Sequence, residues 1–249
     1  MYRGQVLFSS GSDIHELDPA TGATAEWRRC AAGVTALAVL DETLAIGLSD
    51  GSLILSDKTD RIIKTGDPCI TAISPGGKVR LIVCIGSTRN SAADWKRDLL
   101  QGGVTGQIWA LPLADGTMQK IAGGLAWPCG AAMAAGQLVV VEAWRHRLMQ
   151  ISAEPQVTDL PGYPSRLSAA PDGWWLTVFA PRNQLIELVL RERDYRDRMM
   201  REVEPDHWIA PNPVTRGGFQ RAHAGGSHSH AWHHQALGTV TVLWVAGAA

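Results

Sequence analysis

The sequence predicts an all-β chain built as a β-propeller, on three observations. First, one unit recurs: a small-residue strand, a turn with Gly or Asp, a very apolar strand, a polar loop and an alternating strand. Its copies occupy residues 34–55, 69–111 with an internal insertion, 129–151 and 160–187. Second, the copies start roughly 35, 60 and 35 residues apart, near the period of about 40–50 of propeller blades. Third, strand composition recurs in order. A β-sandwich of regular hairpins would share the strand spacing but not that order.

Taken along the chain, segment 4–27, GQVLFSSGSDIHELDPATGATAEW, resembles only the second half of a unit, with two strands and a DPATG turn. The first full copy is VTALAVLDETLAIGLSDGSLIL. The second opens CITAISPGGKVRLIVCIGS and resumes after the insertion as GQIWAL, 106–111. The third is CGAAMAAGQLVVVEAWRHRLMQI. In the fourth, Pro161, Gly162 and Pro164 force a bend. Pro171, Asp172 and Gly173 then form a turn in which Pro presets φ and Gly takes positive φ. Residues 174–179 have the aromatic and β-branched character of a strand. Next, Leu185, Leu188, Val189 and Glu192 share helical spacing, with Arg and Glu opposite. This predicts one amphipathic helix over about 184–204, or a strand running into one, ended by Pro205, that packs across the propeller face or docks a partner.

In a propeller, the loops leading into each inner strand and those joining second to third strands emerge on one face. Here these are 28–34, 64–69, 122–129 and 160–165, and 47–52, 85–106, 142–147 and 179–184. Loops on a rigid scaffold carry function. The insertion 87–106, STRNSAADWKRDLLQGGVTG, is predicted to be a lid, with a helical turn at 94–100 that puts Trp95 and Leu99 on one side. Glu142, Arg145 and His146 share one loop, and Arg182 and Asn183 the next. Lys96 joins from the lid, and Tyr163 and Arg166 from a junction. Glu142 follows an apolar run and should be buried and paired with Arg145 or Arg166, as an ion pair between blades, an acid/base or an anchor for a substrate amine. His146, flanked by arginines, is expected at the surface. The candidate catalytic residue is Glu142; the candidate substrate-binding residues are Trp95, Lys96, Arg145, His146, Tyr163, Arg166, Arg182 and Asn183.

A net charge of -1 gives no footprint for nucleic acid, and 45% hydrophobic residues suffice for a core. Ten Trp against three Phe supply large side chains that fill gaps between sheets. No run approaches the ~18–20 apolar residues of a membrane span. The start MYRGQVLFSS lacks a signal-peptide core, so a cytoplasmic location is expected, although the natural start could lie upstream. Cys30, Cys69, Cys84 and Cys129 form no CxxC pair, so zinc is not expected. Cys69 and Cys129 are expected at matching repeat positions, as small buried thiols or as a thiol facing the channel.

WPCGAAMAAGQLVVVEAWRHRLMQI and LPGYPSRLSAAPDGWWLTVFAPRNQLIELVL together resemble the strictosidine synthase-like family. That family shows a Pro-x-Gly strand, a turn, an apolar strand ending in Glu, Arg-His-Arg and then Leu-Pro-Gly-Tyr-Pro. The likeness covers about 125–211 well and 7–124 more loosely. It implies a six-bladed propeller, related to gluconolactonase and paraoxonase-type propellers, which are calcium-dependent hydrolases. Where metal-binding relatives carry Asn and Asp, this chain has Cys129 and Ser165–Arg166. A hard cation needs several oxygen ligands, so no metal and no cofactor is expected at the hub. The Glu with which the plant enzyme condenses an amine and an aldehyde has no counterpart here.

Residues 214–249 have lost the repeat and carry His223, His228, His230, His233 and His234 without a scaffold for a metal. The codons of 233–240 can be chosen so that a one-nucleotide shift reads Ile-Ile-Lys-Pro-Trp-Ala-Pro, and the family carries a similar Lys-Pro-Trp-Ala-Pro segment after its helix. The expectation is therefore an incomplete propeller over 1–213 with about four recognisable blades, and a disordered or out-of-frame tail in which only 239–245 reads as a strand. Open sheet edges would favour self-association. The expected function is action on a small organic substrate at the channel mouth, by ester or lactone hydrolysis or a related lyase step, and not strictosidine synthesis. The alternatives are a non-catalytic module binding a small ligand or protein, or an inactive truncated product.

Overall fold

Turn chemistry cuts the chain into short antiparallel strands. Asp18 accepts hydrogen bonds from Ala20 N at 2.8 Å and Thr21 Oγ1 at 2.9 Å, and Gly22 takes φ +73°, so one hairpin closes at 18–23. Gly11 at φ +60° closes another. The result is β1 (Val6–Ser10), β2 (Asp13–Leu17) and β3 (Thr24–Arg29) in one sheet. The segment thus holds three strands, not the two expected, because Gly11 splits what reads as one run. The computed structural model describes residues 2–57, 59–134, 136–151, 153, 155–170, 173–211, 234–237 and 240–246.

Three four-stranded meanders follow, each pairing in sequence order. The first is β4 (Val34–Leu40), β5 (Thr43–Leu48), β6 (Ser52–Ser56) and β7 (Asp60–Lys64). In the second, β8 (Ile70–Pro75) and β9 (Arg80–Ile85) are separated from β10 (Gly106–Pro112) and β11 (Gln119–Leu125) by the insertion, which contains α1 (Trp95–Leu100). The third is β12 (Pro128–Ala134), β13 (Gln137–Glu142), β14 (Arg147–Gln150) and β15 (Pro155–Val157). The fourth sheet starts with β16 (Gly162–Ala170) and β17 (Gly173–Pro181). Helices α2 (Gln184–Arg191) and α3 (Arg193–Glu202) intervene before β18 (His234–Leu237) and β19 (Val240–Ala246) complete it in the order β16-β17-β19-β18. This is a β-propeller arrangement: β4 packs on β8, β8 on β12 and β12 on β16. Sheets covered on both sides need continuous apolar strands, and β5 is buried at all six positions.

The C-terminal segment does more than expected. Beside the strand read at 239–245, a second strand at 234–237 joins the fourth sheet. His223, His228, His230 and His233 lie outside the described residues. The single predicted helix is two, broken at Glu192, whose ψ of 85° leaves the helical region. Its buried stripe is also rotated: Ile186 and Val189 face inward, while Leu185 and Leu188 are 56% and 54% exposed. Asn183 caps α2 by accepting from Leu185 N at 2.8 Å, and Glu187 is tied inward, which sets that phase. Among the described residues, no helix is long and apolar enough to cross a membrane.

The inner strands share one irregularity. Register slips between Val34 and Ala36 in β4, Ile70 and Ala72 in β8, Pro128 and Gly130 in β12, and Pro164 and Leu167 in β16. Each slip is a bulge, which leaves a residue unpaired and turns its side chain. The bulged residues are Thr35, Thr71, Cys129 and the pair Ser165–Arg166. Two of them bond to the next sheet: Thr71 Oγ1 donates to Pro128 O at 2.5 Å, and Cys129 Sγ to Pro164 O at 3.2 Å. Gly130 makes the second bond reachable, since a Cβ there would lie 2.6 Å from Ser165 O. This register corrects the cysteine equivalence. Cys129 matches Thr71 and Thr35, whereas Cys69 precedes β8 and is buried behind the bulge.

Candidate functional site

All the bulged residues point to one place. Thr35, Thr71, Cys129, Ser165 and Arg166 line a cavity of about 360 Å³. Ala92 and Trp95 of the insertion also line it. Leu99 packs with Trp95 against Tyr163 and Ala180. On the other side Leu100 packs with Val189, Met199 and Trp208, so the insertion is held against the helices that follow β17. Buried Asp98 ties it to the wall, accepting from Trp144 Nε1 at 2.9 Å and from Asn90 Nδ2 at 3.0 Å.

The wall is aromatic. Trp127 and Trp144 stack with centroids 5.1 Å apart and planes 25° apart. Their backbones fix this: Ala143 N donates to Trp127 O and Trp144 N to Ala126 O, at 3.2 and 3.3 Å. Trp127 takes φ +55°, a costly conformation for a bulky residue. A Cβ on Gly86 would lie 3.2 Å from the Trp127 ring, so glycine there leaves the indole its space. Trp95 meets Phe179 edge to face at 5.2 Å, and both line the cavity.

Arg166 supplies the charge. The β16 bulge aims it across the channel, where it donates to Cys129 O at 2.5 Å and to Thr35 O at 3.4 Å. It is exposed, and no carboxylate among the described residues lies within ion-pair distance of it. Burial pushes the Cys129 thiol up to about 12, so it is a neutral donor.

Glu142 has a different place. It is 0% exposed and pairs across strands with Arg147. Oε1 accepts from Ala126 N at 2.7 Å and Arg145 Nη1 at 3.0 Å, and Oε2 from Arg147 Nε at 2.5 Å. The matching positions in the first two sheets are Leu48 and Ile85. A carboxylate in that apolar position requires the donors it has. It does not line the cavity, nor does Arg145. The expected partner Arg145 is present; Arg166 is not one, and Arg147 takes that role.

The remaining candidates form a second cluster. Tyr163, fully buried, donates to Glu187 Oε1 at 3.3 Å, and Arg182 donates to Glu187 Oε2 at 2.9 Å and also pairs with Asp159. His146 is buried, not at the surface, because its backbone takes φ +48° and turns the ring onto Tyr163, 4.5 Å away. Its Nδ1 donates to Gly162 O at 2.9 Å, since a carbonyl only accepts. Nε2 faces Glu187 at 3.7 Å. Burial, then Arg182's charge, holds the imidazole below its ordinary 6.5 against the opposing Gly162 bond. Burial raises Glu187, but Arg182's hydrogen bond and charge outweigh it, so the carboxyl sits below 4.5. Asn183 serves as the cap of α2, and Lys96 lies on α1 away from the cavity lining.

Of the sequence-predicted residues, the structure therefore brings only Trp95 and Arg166 to the cavity. Sequence reasoning missed Thr35, Thr71, Trp127, Trp144 and Phe179. Aligning the second residue of each inner strand would have found the two threonines.

Two solved structures resemble this chain. A chain of the nidogen/laminin complex matches with TM-score 0.53 and 17% identity, over 67% of this chain and 64% of that one. A candidate gluconolactonase matches with TM-score 0.54 and 13% identity, over 72% and 69%. The chain thus spans just under two thirds of the first of these. No family model and no curated protein matches the chain. At these identities the likeness establishes the β-propeller fold.

Two outcomes are expected. Glu142→Gln leaves Arg145 and Arg147 without a counter-charge; both reach water, so the cost is about 3 kcal/mol, the low end for breaking a buried pair. Urea unfolding checks this, and an unchanged midpoint would contradict it. On acidification, the unfolded chain protonates His146 and Glu187 before the folded one does. Their stabilisation is full above 6.5 and is lost as pH falls, first through His146 and then, below 4.5, through Glu187. The melting temperature should decline in that order, and His146→Gln should remove the upper stage. A melting temperature that rises on acidification below 6.5 would contradict the assignment.

Proposed function

We propose that this β-propeller is a strictosidine synthase-like protein that binds a small, flat organic molecule at its channel mouth, without strictosidine synthesis. The observation that carries the reading is the aromatic-walled cavity under the 87–106 segment. Its volume of about 360 Å³ lies within the ~300–1,000 Å³ of small-molecule sites. The stacked indoles of Trp127 and Trp144, tilted 25° to each other, offer a face for a planar ring.

Binding is favoured over turnover by what reaches the cavity. A general base needs access to a substrate proton and a pKa near the working pH. Glu142 has both oxygens occupied, and the Cys129 thiol is pushed up to about 12. His146 faces Gly162 and Glu187. The gluconolactonase-like neighbour makes lactone or ester hydrolysis the second reading.

One pair of assays separates the two. Titration with 2-naphthamide, read by energy transfer from tryptophan, should saturate in the natural protein. It should weaken about tenfold in Trp95→Ala, which loses one face of the wall but no hydrogen bond. Chromogenic esters and lactones, with and without calcium, should not turn over. Turnover that disappears in Cys129 or Arg166 variants would replace binding with catalysis.

A further inference from the structure

We infer that the ligand is a planar aromatic acid, with its ring against Trp127 and Trp144 and its carboxylate on Arg166; this rests on the small-molecule reading above. Three arginines of the neighbouring β13–β14 and β17–α2 connections are neutralised. Arg145 and Arg147 bind Glu142, and Arg182 binds Glu187 and Asp159. Arg166 alone of these four bonds only to neutral carbonyls, of Cys129 and Thr35. A guanidinium carries five N–H donors in a planar fork, so donors remain for an acceptor in the cavity.

The surroundings favour an anion there. The nearby carboxylates are occupied away from the cavity: Asp98 by Trp144 and Asn90, Glu142 by its arginines. The neighbouring bulged side chains, Thr35, Thr71, Cys129 and Ser165, are neutral. The Thr35 hydroxyl is buried without a partner beside the guanidinium. A guanidinium–carboxylate bond is charge-assisted and stronger than a neutral one. A cation would meet the unneutralised charge of Arg166 and be repelled. Recognition of the sheet scaffold is not involved: the bulge in β16 that breaks pairing at Ser165–Arg166 is what frees the side chain to reach the channel.

The test compares three ring-matched probes, 2-naphthoate, 2-naphthamide and 2-naphthylmethylammonium, by calorimetry on the full chain. The natural protein should bind the carboxylate at least about tenfold more tightly than the amide, and the ammonium least. Arg166→Gln should abolish the preference while leaving amide affinity within about threefold. Arg166→Lys keeps the charge and should retain part of the preference, and cooperative melting verifies that each variant folds. Equal binding of carboxylate and amide would overturn the acid assignment and leave the small-molecule reading intact. Amide affinity collapsing in folded Arg166→Gln would make Arg166 a strut of the channel and also overturn it. Binding of none of the probes by the natural protein would overturn both.

Discussion

The bulge near the start of each of the inner strands β4, β8, β12 and β16 holds this molecule together. Sheets of a propeller share no ladder hydrogen bonds, so neighbouring sheets are joined by side chains and by the few bonds that cross between inner strands. Here Thr71 crosses from the second sheet to the third and Cys129 from the third to the fourth. Arg166 then reaches back from the fourth sheet to the third and the first. Without the bulge these side chains would alternate within the sheet and meet packed neighbours. The same turn of the backbone that ties sheet to sheet lines the channel mouth, so fold and site have one cause.

The division of labour among the polar residues follows from their partners. Glu142 sits where its counterparts are Leu48 and Ile85, outside the cavity lining, and its oxygens serve the junction at Ala126 and the arginines of its own loop. The Tyr163, His146, Glu187 and Arg182 cluster lies between the fourth sheet and α2, where it anchors the helix that clamps the lid. The aromatic wall and Arg166 are what line the cavity. A site of this kind has a rigid floor, set by inner strands, and a cover packed on helices.

Much of this was legible in the sequence because repeats expose register. The order of strand compositions placed the inner-strand junctions and the connecting loops, and the loops at 86–105 and 143–146 fall where expected. The three-stranded sheet β1–β3 differs from the expected two strands because Gly11 is a turn signal inside a run with β character on both sides. The helix phase was misread because Leu185 and Leu188 are apolar yet exposed; a cap at Asn183 and an ion pair at Glu187 set the rotation, not hydrophobicity. The polar candidates were read as converging because their loops share a face. Sequence shows which loop carries a side chain, but not whether a partner has already claimed it. Trp127 and Trp144 lay inside the most recognisable motif, yet their stacking depends on a positive φ and two backbone bonds that spacing does not report.

Urea unfolding of Thr71→Val beside Thr71→Ser tests whether a bulged inner-strand side chain joins one sheet to the next. Valine keeps the shape but leaves the Pro128 carbonyl without the hydroxyl 2.5 Å from it. A loss of about 1–3 kcal/mol is expected for valine, and a smaller loss for serine, which retains the donor. A valine variant as stable as the natural protein would contradict it.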